Sequence, residues 1–184
     1  MPRNPRILRY YGDPVLRKKA EPVPAVSPEI RALVQDLFET MYHERGIGLA
    51  APQIGISQRI FVVDVEAEEG DRTKLALVNP RLVRSSGSIV GEEGCLSIPG
   101  IHEDVRRHAE VTFEALDESG APITVHAEGL LARALQHELD HLDGVLFIDR
   151  LSAIRRKLLE PKLARMQVGD SERPAPDASA SPSF

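Results

Sequence analysis

The chain has 184 residues, a formal net charge of −5, 42% hydrophobic residues and one cysteine. The length suits one domain with a proper core, and the acidic balance argues against general nucleic-acid binding, which needs a strongly basic surface. A lone cysteine cannot close an internal disulfide, and without a run of eighteen apolar residues no membrane-spanning helix is expected.

The amino end lacks an apolar stretch of signal-peptide type, and a cytoplasmic location is expected. Residues 1–25 are proline-rich, carry the turn-like Tyr10-Tyr11-Gly12-Asp13-Pro14, and are expected to wrap over the surface. Ser27-Pro28-Glu29 is a helix start: a hydroxyl cap, a proline in the first turn and an acid near the positive end. Ile30, Leu33, Val34, Leu37, Phe38 and Met41 then recur at helical spacing, with Gly46 closing the element.

Gly46–Gly55 is rich in small residues, so backbone can lie close to a substrate there, and Gln53 offers an amide donor to a developing oxyanion. An ordinary loop after a helix is the competing reading. The stretch is no phosphate loop, since it lacks the strand–helix context and the lysine. Arg59–Val65 reads as a β-branched strand, followed by an acidic turn through Glu66–Asp71 and a second strand at Leu75–Val78 that ends at Asn79-Pro80.

Cys95 follows a glycine and precedes Pro99-Gly100, so it is expected on a loop or strand end open to close approach. A small buried cysteine is the commoner fate of such a residue. Val105–Leu116 alternates, Asp117–Gly120 is a turn, and Ile123–His126 returns as a strand.

Gly129–Leu142 reads as a helix that contains His137-Glu138-Leu139-Asp140-His141. Imidazoles four residues apart share one helix face and can reach one metal ion, while the glutamate between them can reach a water on that metal without ligating it. Leu131, Leu135 and Leu142 make an apolar stripe, and the histidines fall beside it with Leu130 and Ala134. A pair of structural histidines is the competing reading. A thiolate from Cys95 would complete a three-ligand set with an open fourth position. His43, His102, His108 and His126 are scattered and read as surface or structural, with His102 close enough to the Cys95 segment to line a channel.

A last helix is expected over Ser152–Leu163, kinked or broken near Pro161, and it is made basic by Arg150, Arg155, Arg156, Lys157, Lys162 and Arg165. From Gly169 the composition has almost nothing to bury, so 169–184 is expected to be a disordered tail after a domain spanning 1–168. Strands come in runs rather than alternating with helices. The expected class is α+β, with mostly antiparallel sheets packed around the central metal-binding helix and a C-terminal helix.

Three stretches together resemble the peptide deformylase family: Gly-Ile-Gly-Leu-Ala-Ala-Pro-Gln at 46–53, Glu-Gly-Cys-Leu-Ser at 93–97 and Gln-His-Glu-Leu-Asp-His at 136–141, all in the family's order. The similarity runs from about Ile7 to Ile154. It implies a metal-dependent hydrolase that removes the formyl group from the N-terminal formylmethionine of nascent polypeptides and releases formate. The implied ligands are Cys95, His137 and His141, holding one divalent ion. That ion is Fe²⁺ in the cell, with Zn²⁺, Ni²⁺ or Co²⁺ as replacements. Glu138 is the implied base, and the Gln53 amide and the Leu96 backbone N–H are the implied oxyanion donors. Ile47, Gly48, Leu130 and Ala134 match the substrate pocket, with Glu93 and Gly94 on its rim and Arg107 either touching substrate or supporting the ligands.

The chain departs from the family pattern in three places. Val105-Arg106-Arg107 stands where Val-Pro-Arg is common, Arg45 where an acid is common, and Arg133 where an apolar residue is common. The implied partners are N-formylmethionyl peptides and, through the basic last helix, the ribosome near its exit tunnel. No membrane partner is implied. Two alternatives stay open. One is a general metallopeptidase, which Cys95 fits poorly. The other is a metal-stabilised protein without activity, which has no need of Glu138 or Gln53.

Overall fold

The computed structural model describes residues 5–66, 70, 72–167 and 184. Most of the acidic turn expected at 66–71, and the tail expected from 169 up to 183, lie outside the described residues. Helix α1 is Pro28–His43, and strands β1 (Gly48–Ala50), β2 (Ile60–Glu66), β3 (Arg72–Ser86), β4 (Ile89–Cys95), β5 (Ile98–Arg107), β6 (Glu110–Leu116) and β7 (Pro122–Glu128) follow. Helices α2 (Gly129–Leu142) and α3 (Ala153–Gln167) close the chain, with 3₁₀ turns at Pro14–Arg17, Ala51–Ile54 and Phe147–Arg150. The α+β expectation holds.

Five strands form one antiparallel sheet in the order β1-β2-β3-β6-β7, and β4 and β5 form a separate hairpin. Strand β2 explains the layering. Ile60 and Val62 join the α1 residues Leu33, Val34 and Leu37 in one core, whereas Phe61, Val63 and Val65 join the α2 residues Ala134, Leu135 and Leu142 in another. Successive side chains point to opposite faces, so a strand covered by a helix on each face is apolar throughout. A third core lies under the β4–β5 hairpin, where Cys95, Ile98, Ile101 and Val105 meet Phe147, Leu159 and Leu163.

Several boundaries differ from expectation for local reasons. Ser27 caps α1 as expected, accepting from the Ile30 N–H, but the left-handed residue after the helix is Arg45 (φ 59°), not Gly46. Gly46 is needed for space instead, since a Cβ there would lie 2.7 Å from Leu96 Cδ1. Residues Gly48–Ala50 are a buried strand at the sheet edge, not a loop. Strand β3 does not end at Asn79-Pro80. A register shift absorbs the left-handed Asn79 (φ 52°). The Asn79 side chain replaces a strand neighbour by accepting from the Val23 N–H and donating to the Val23 carbonyl, both at 2.8 Å.

Val105–Leu116 is the end of one strand and the whole of another. The break falls at His108-Ala109, where Gln136 clasps both the N–H and the carbonyl of His108 at 3.0 Å. Helix α3 is continuous from Ala153 to Gln167 with Pro161 inside it, so of the expected kink or break the break does not occur. The carbonyl that loses its donor there belongs to an exposed turn, where water can satisfy it. The amino-terminal segment wraps the surface as expected, yet it also buries Leu8, Leu16, Ala20 and Val23.

Candidate metal and peptide site

Helix α2 crosses the middle of the molecule, with ten of its fourteen residues buried. Its two histidines lie one turn apart and meet edge to face, ring centroids 5.0 Å from each other at 67°. The β4–β5 hairpin brings Cys95 to the same place. A register irregularity between Gly94 and Cys95 ends the regular pairing there, and the chain reverses through Leu96-Ser97. Ligand atoms of Cys95, His137 and His141 all lie within 4.8 Å of one another, and Cys95 Sγ is 3.3 Å from His141 Nε2. All three residues are buried.

The donor set fits a divalent cation, on the evidence of its unpaired atoms. His137 Nε2 and both carboxyl oxygens of Glu138 are buried without a hydrogen-bond partner among the described residues. Buried polar groups are normally paired, so a cluster of unpaired ones around a thiol is the signature of a site built for an ion and its water. Burial pushes the Cys95 thiol up in pKa and the His141 imidazolium well down, the latter helped by neighbouring His137. Burial, with the negative charge of Glu93 added to it, raises Glu138 well above the usual carboxylate range. A bound cation reverses the bias on the thiol, because it stabilises the thiolate directly.

Support beneath the ligands is extensive. His137 Nδ1 lies 3.0 Å from Glu93 Oε2, which orients the ring and leaves Nε2 facing Cys95 and His141. Glu93 is held in turn by Arg107, whose Nε and one amino nitrogen both donate at 2.9 Å, and by Arg133 at 3.1 Å. Burial alone would raise the pKa of Glu93, but His137 and Arg107 overcome it and hold it at about 2. Arg107 also donates to Asp140 at 2.6 Å, and Arg150 caps the same carboxylate. Of the two roles open to Arg107, its geometry is that of support. Glu93, expected on the substrate side, likewise faces His137 and the arginines. Arg133 points inward to the hairpin, donating to the Gly91 carbonyl at 2.5 Å and to that of Val105 at 3.3 Å.

Gln53 sits in the 3₁₀ turn after β1. Its Oε1 accepts from the Ala50 N–H at 2.8 Å, so Nε2 is aimed at Cys95 Sγ (3.7 Å) and Ser97 Oγ (3.2 Å). Glu138 is packed so tightly against Gly48 that any Cβ on that glycine would overlap Oε1. Ala134 is fully buried in a cluster that Ile47 packs against, while Leu130 is 42% exposed and outside that cluster.

Phe184 enters the same place and was not foreseen. Its ring is 1% exposed and stacks on His137, centroids 4.9 Å apart at 25°. Its carbonyl accepts from the Leu96 N–H at 2.8 Å and its N–H donates to the Gly94 carbonyl at 3.3 Å. Ser97, Asp140 and Phe147, which also stacks on His137, are further participants that sequence reasoning missed. Asp140 and Ser97 stood within the quoted stretches at 136–141 and 93–97 without a role being given to them, whereas Phe147 left no signal.

Comparison with known proteins gives one answer. A family model described as polypeptide deformylase matches residues 5–157. The peptide deformylase of Alkalilimnicola ehrlichii is 51% identical over 156 residues, covering 85% of this chain and 87% of that protein. That of Acidobacterium capsulatum is 50% identical over 157 residues, covering 85% and 92%. The crystal structure of a peptide deformylase from Legionella pneumophila superposes with a TM-score of 0.82 at 43% identity, covering 93% of this chain and all (100%) of that one. A peptide deformylase from Synechococcus elongatus, solved in complex with actinonin, gives 0.80 at 43% identity, covering 88% and 90%.

Proposed function

The chain belongs to the polypeptide deformylase family and removes the N-formyl group from nascent peptides, and we propose that it does so at the buried cluster of Cys95, His137 and His141, with Glu138 as the base. The observation that carries this assignment is the convergence of three ligand atoms within 4.8 Å beside a glutamate whose carboxyl oxygens have no partner among the described residues.

One divalent ion is held by Cys95, His137 and His141. When bound, such an ion polarises a carbonyl oxygen and lowers the pKa of a water towards about 7. Glu138 accepts the proton of the attacking water and returns it to the leaving amine nitrogen. Negative charge gathers on the formyl oxygen, where the Gln53 amide and the Leu96 N–H donate to it. A well-placed donor of this kind is worth about 2.7–4 kcal/mol in the transition state. The methionine side chain lies against Ile47, Gly48 and Ala134, with Leu130 at the outer edge. Gly94 offers its carbonyl to the peptide backbone. Glu93 and Arg107 act beneath the ligands by fixing His137. Formate and a free amino terminus are the products.

Fe²⁺ is the proposed ion in the cell. One thiolate and two imidazoles also accept Zn²⁺, Ni²⁺ and Co²⁺, and a thiolate on iron is prone to oxidation. The catalytic domain is proposed to span 1–168 and the tail 169–184, of which Phe184 is described and is buried. The proposed location is the cytoplasm, where nascent chains emerge. A ribosomal contact through α3 is also proposed. Arg155 and Arg156 are already paired with Glu103 and Asp149, so the contact rests chiefly on Lys157, Lys162 and Arg165. Salt-sensitive cosedimentation with ribosomes supports it, and binding unchanged by substitution of those three residues overturns it.

The central test is metal analysis of anaerobically purified protein together with formate release from a formyl-Met-Ala-Ser peptide. One equivalent of metal and stoichiometric formate are expected. Cleavage of an unblocked peptide without formate would overturn the assignment.

A further inference from the structure

We propose that Phe184 is a built-in occupant of the peptide site, a residue of the same chain that competes with the formylmethionyl end of the substrate. The proposal rests on the site reading given above.

The backbone carries the first half of the case. Phe184 bonds to the residues on either side of Cys95, its N–H to the Gly94 carbonyl and its carbonyl to the Leu96 N–H. One residue bonded to both neighbours of its opposite number is the pattern of a parallel β-pair. The residue thus adds to the β4 end as a peptide ligand adds to an open strand edge. The Leu96 N–H it occupies is the donor assigned to the formyl oxygen. One N–H at 2.8 Å from Phe184 O cannot serve both, so docking and turnover exclude each other.

The side chain carries the second half. The ring lies on His137 and belongs to the same buried cluster as Ala134 and Leu135, with Ile47 packed against it. Of these, Ala134 and Ile47 are groups assigned to the methionine side chain. The pocket therefore accepts a phenyl ring, and residue 184 brings both backbone and side chain into the subsite that a substrate needs. Because Phe184 and the site belong to one chain, the contact is intramolecular and its occupancy does not depend on protein concentration.

The consequence is kinetic. A site that is free only part of the time binds substrate with an affinity reduced by the free fraction. A pocket filled nine-tenths of the time raises KM about tenfold and leaves kcat alone, because Phe184 is absent from the substrate complex.

Two measurements on the full chain test this, the fluorine spectra with the diamagnetic Zn²⁺ loaded and the kinetics with Fe²⁺. In the first, the five phenylalanines are replaced by 4-fluorophenylalanine, and Phe184→Leu identifies the resonance of residue 184. A soluble gadolinium chelate is expected to leave that resonance as narrow as those of the core rings Phe61 and Phe113. Broadening to the degree of a fully exposed ring overturns the proposal, whether or not the protein turns over peptide. In the second, Phe184→Ala is expected to lower KM for formyl-Met-Ala-Ser about tenfold with kcat unchanged, at a ratio independent of protein concentration. An unchanged KM, or a ratio that varies with concentration, overturns it. Absence of formate release from both proteins counts against the deformylase assignment and leaves the fluorine measurement to decide the docking.

Discussion

His137 Nδ1 and Glu93 Oε2 lie 3.0 Å apart, joining the first ligand of α2 to the strand that carries Cys95. Glu93 thereby couples two ligands that are distant in sequence. Replacing it with Gln removes the charge that His137, Arg107 and Arg133 all face. Support of this kind is worth about 10- to 100-fold in metal affinity. Glu93→Gln is expected to lose metal to a colorimetric chelator at correspondingly lower chelator concentration. Unfolding in urea should also show a loss of about 3–5 kcal/mol, because two buried guanidinium groups lose their counter-charge. Unchanged chelator competition would remove Glu93 from the support of His137.

Glu138→Gln separates the base from the ligands. The side chain keeps its shape and is outside the Cys95, His137 and His141 group. Metal content is expected to stay at the level of the unmodified protein, while formate release falls about 10²- to 10⁴-fold, the usual worth of a positioned base. Turnover retained in this variant would contradict the role.

Much of this was legible in the sequence because it is local. The α1 cap at Ser27, the two histidines one turn apart and the glycine before Cys95 are short-range patterns with short-range causes. The resemblance supplied the pairing of Cys95 with α2, which no local pattern encodes. The strand ends at Asn79 and His108 were misplaced because distant groups decide them: Val23 lies against Asn79, and Gln136 lies against His108. Arg133 looked like a change to the peptide pocket. Its guanidinium instead bonds three groups of the β4–β5 hairpin, a direction that spacing along α2 does not reveal. Phe184 follows a segment with almost nothing to bury, so composition hid the one residue there that the structure describes as buried.

Gly48 is a spatial requirement of the base. A Cβ at this position would overlap Glu138 Oε1 and crowd its Cδ and Cγ, so the buried side chain must shift to admit it. Gly48→Ala is expected to displace the Glu138 carboxyl and lower kcat for formate release more than tenfold, since misplacement of a catalytic group by about 1 Å costs on the order of 10²-fold. Metal content should be unaffected, because the ligands lie on other residues. A kcat within twofold of the unmodified protein would show that Glu138 tolerates the shift.

Asp64 on β2 gives a pH-dependent contribution far simpler than that of the metal site. Arg72 donates to it twice, at 2.6 and 2.8 Å, and the Tyr42 hydroxyl donates as well. Arg72 is the main cause that holds the Asp64 carboxyl below its usual range, against the opposing effect of burial. A carboxyl depressed in the folded state stabilises the fold above its unfolded pKa, about 3.9, and loses that contribution as pH falls through the lower folded value. Arg72 is mostly open to solvent, so the pair is worth only about 1 kcal/mol. Asp64→Asn is expected to be less stable than the unmodified protein by about that amount at pH 6–7. The gap should close as pH drops below about 4. Urea unfolding of both proteins between pH 3 and 7 measures it, and a gap that stays constant across the range would show that the charge on Asp64 contributes nothing to the fold.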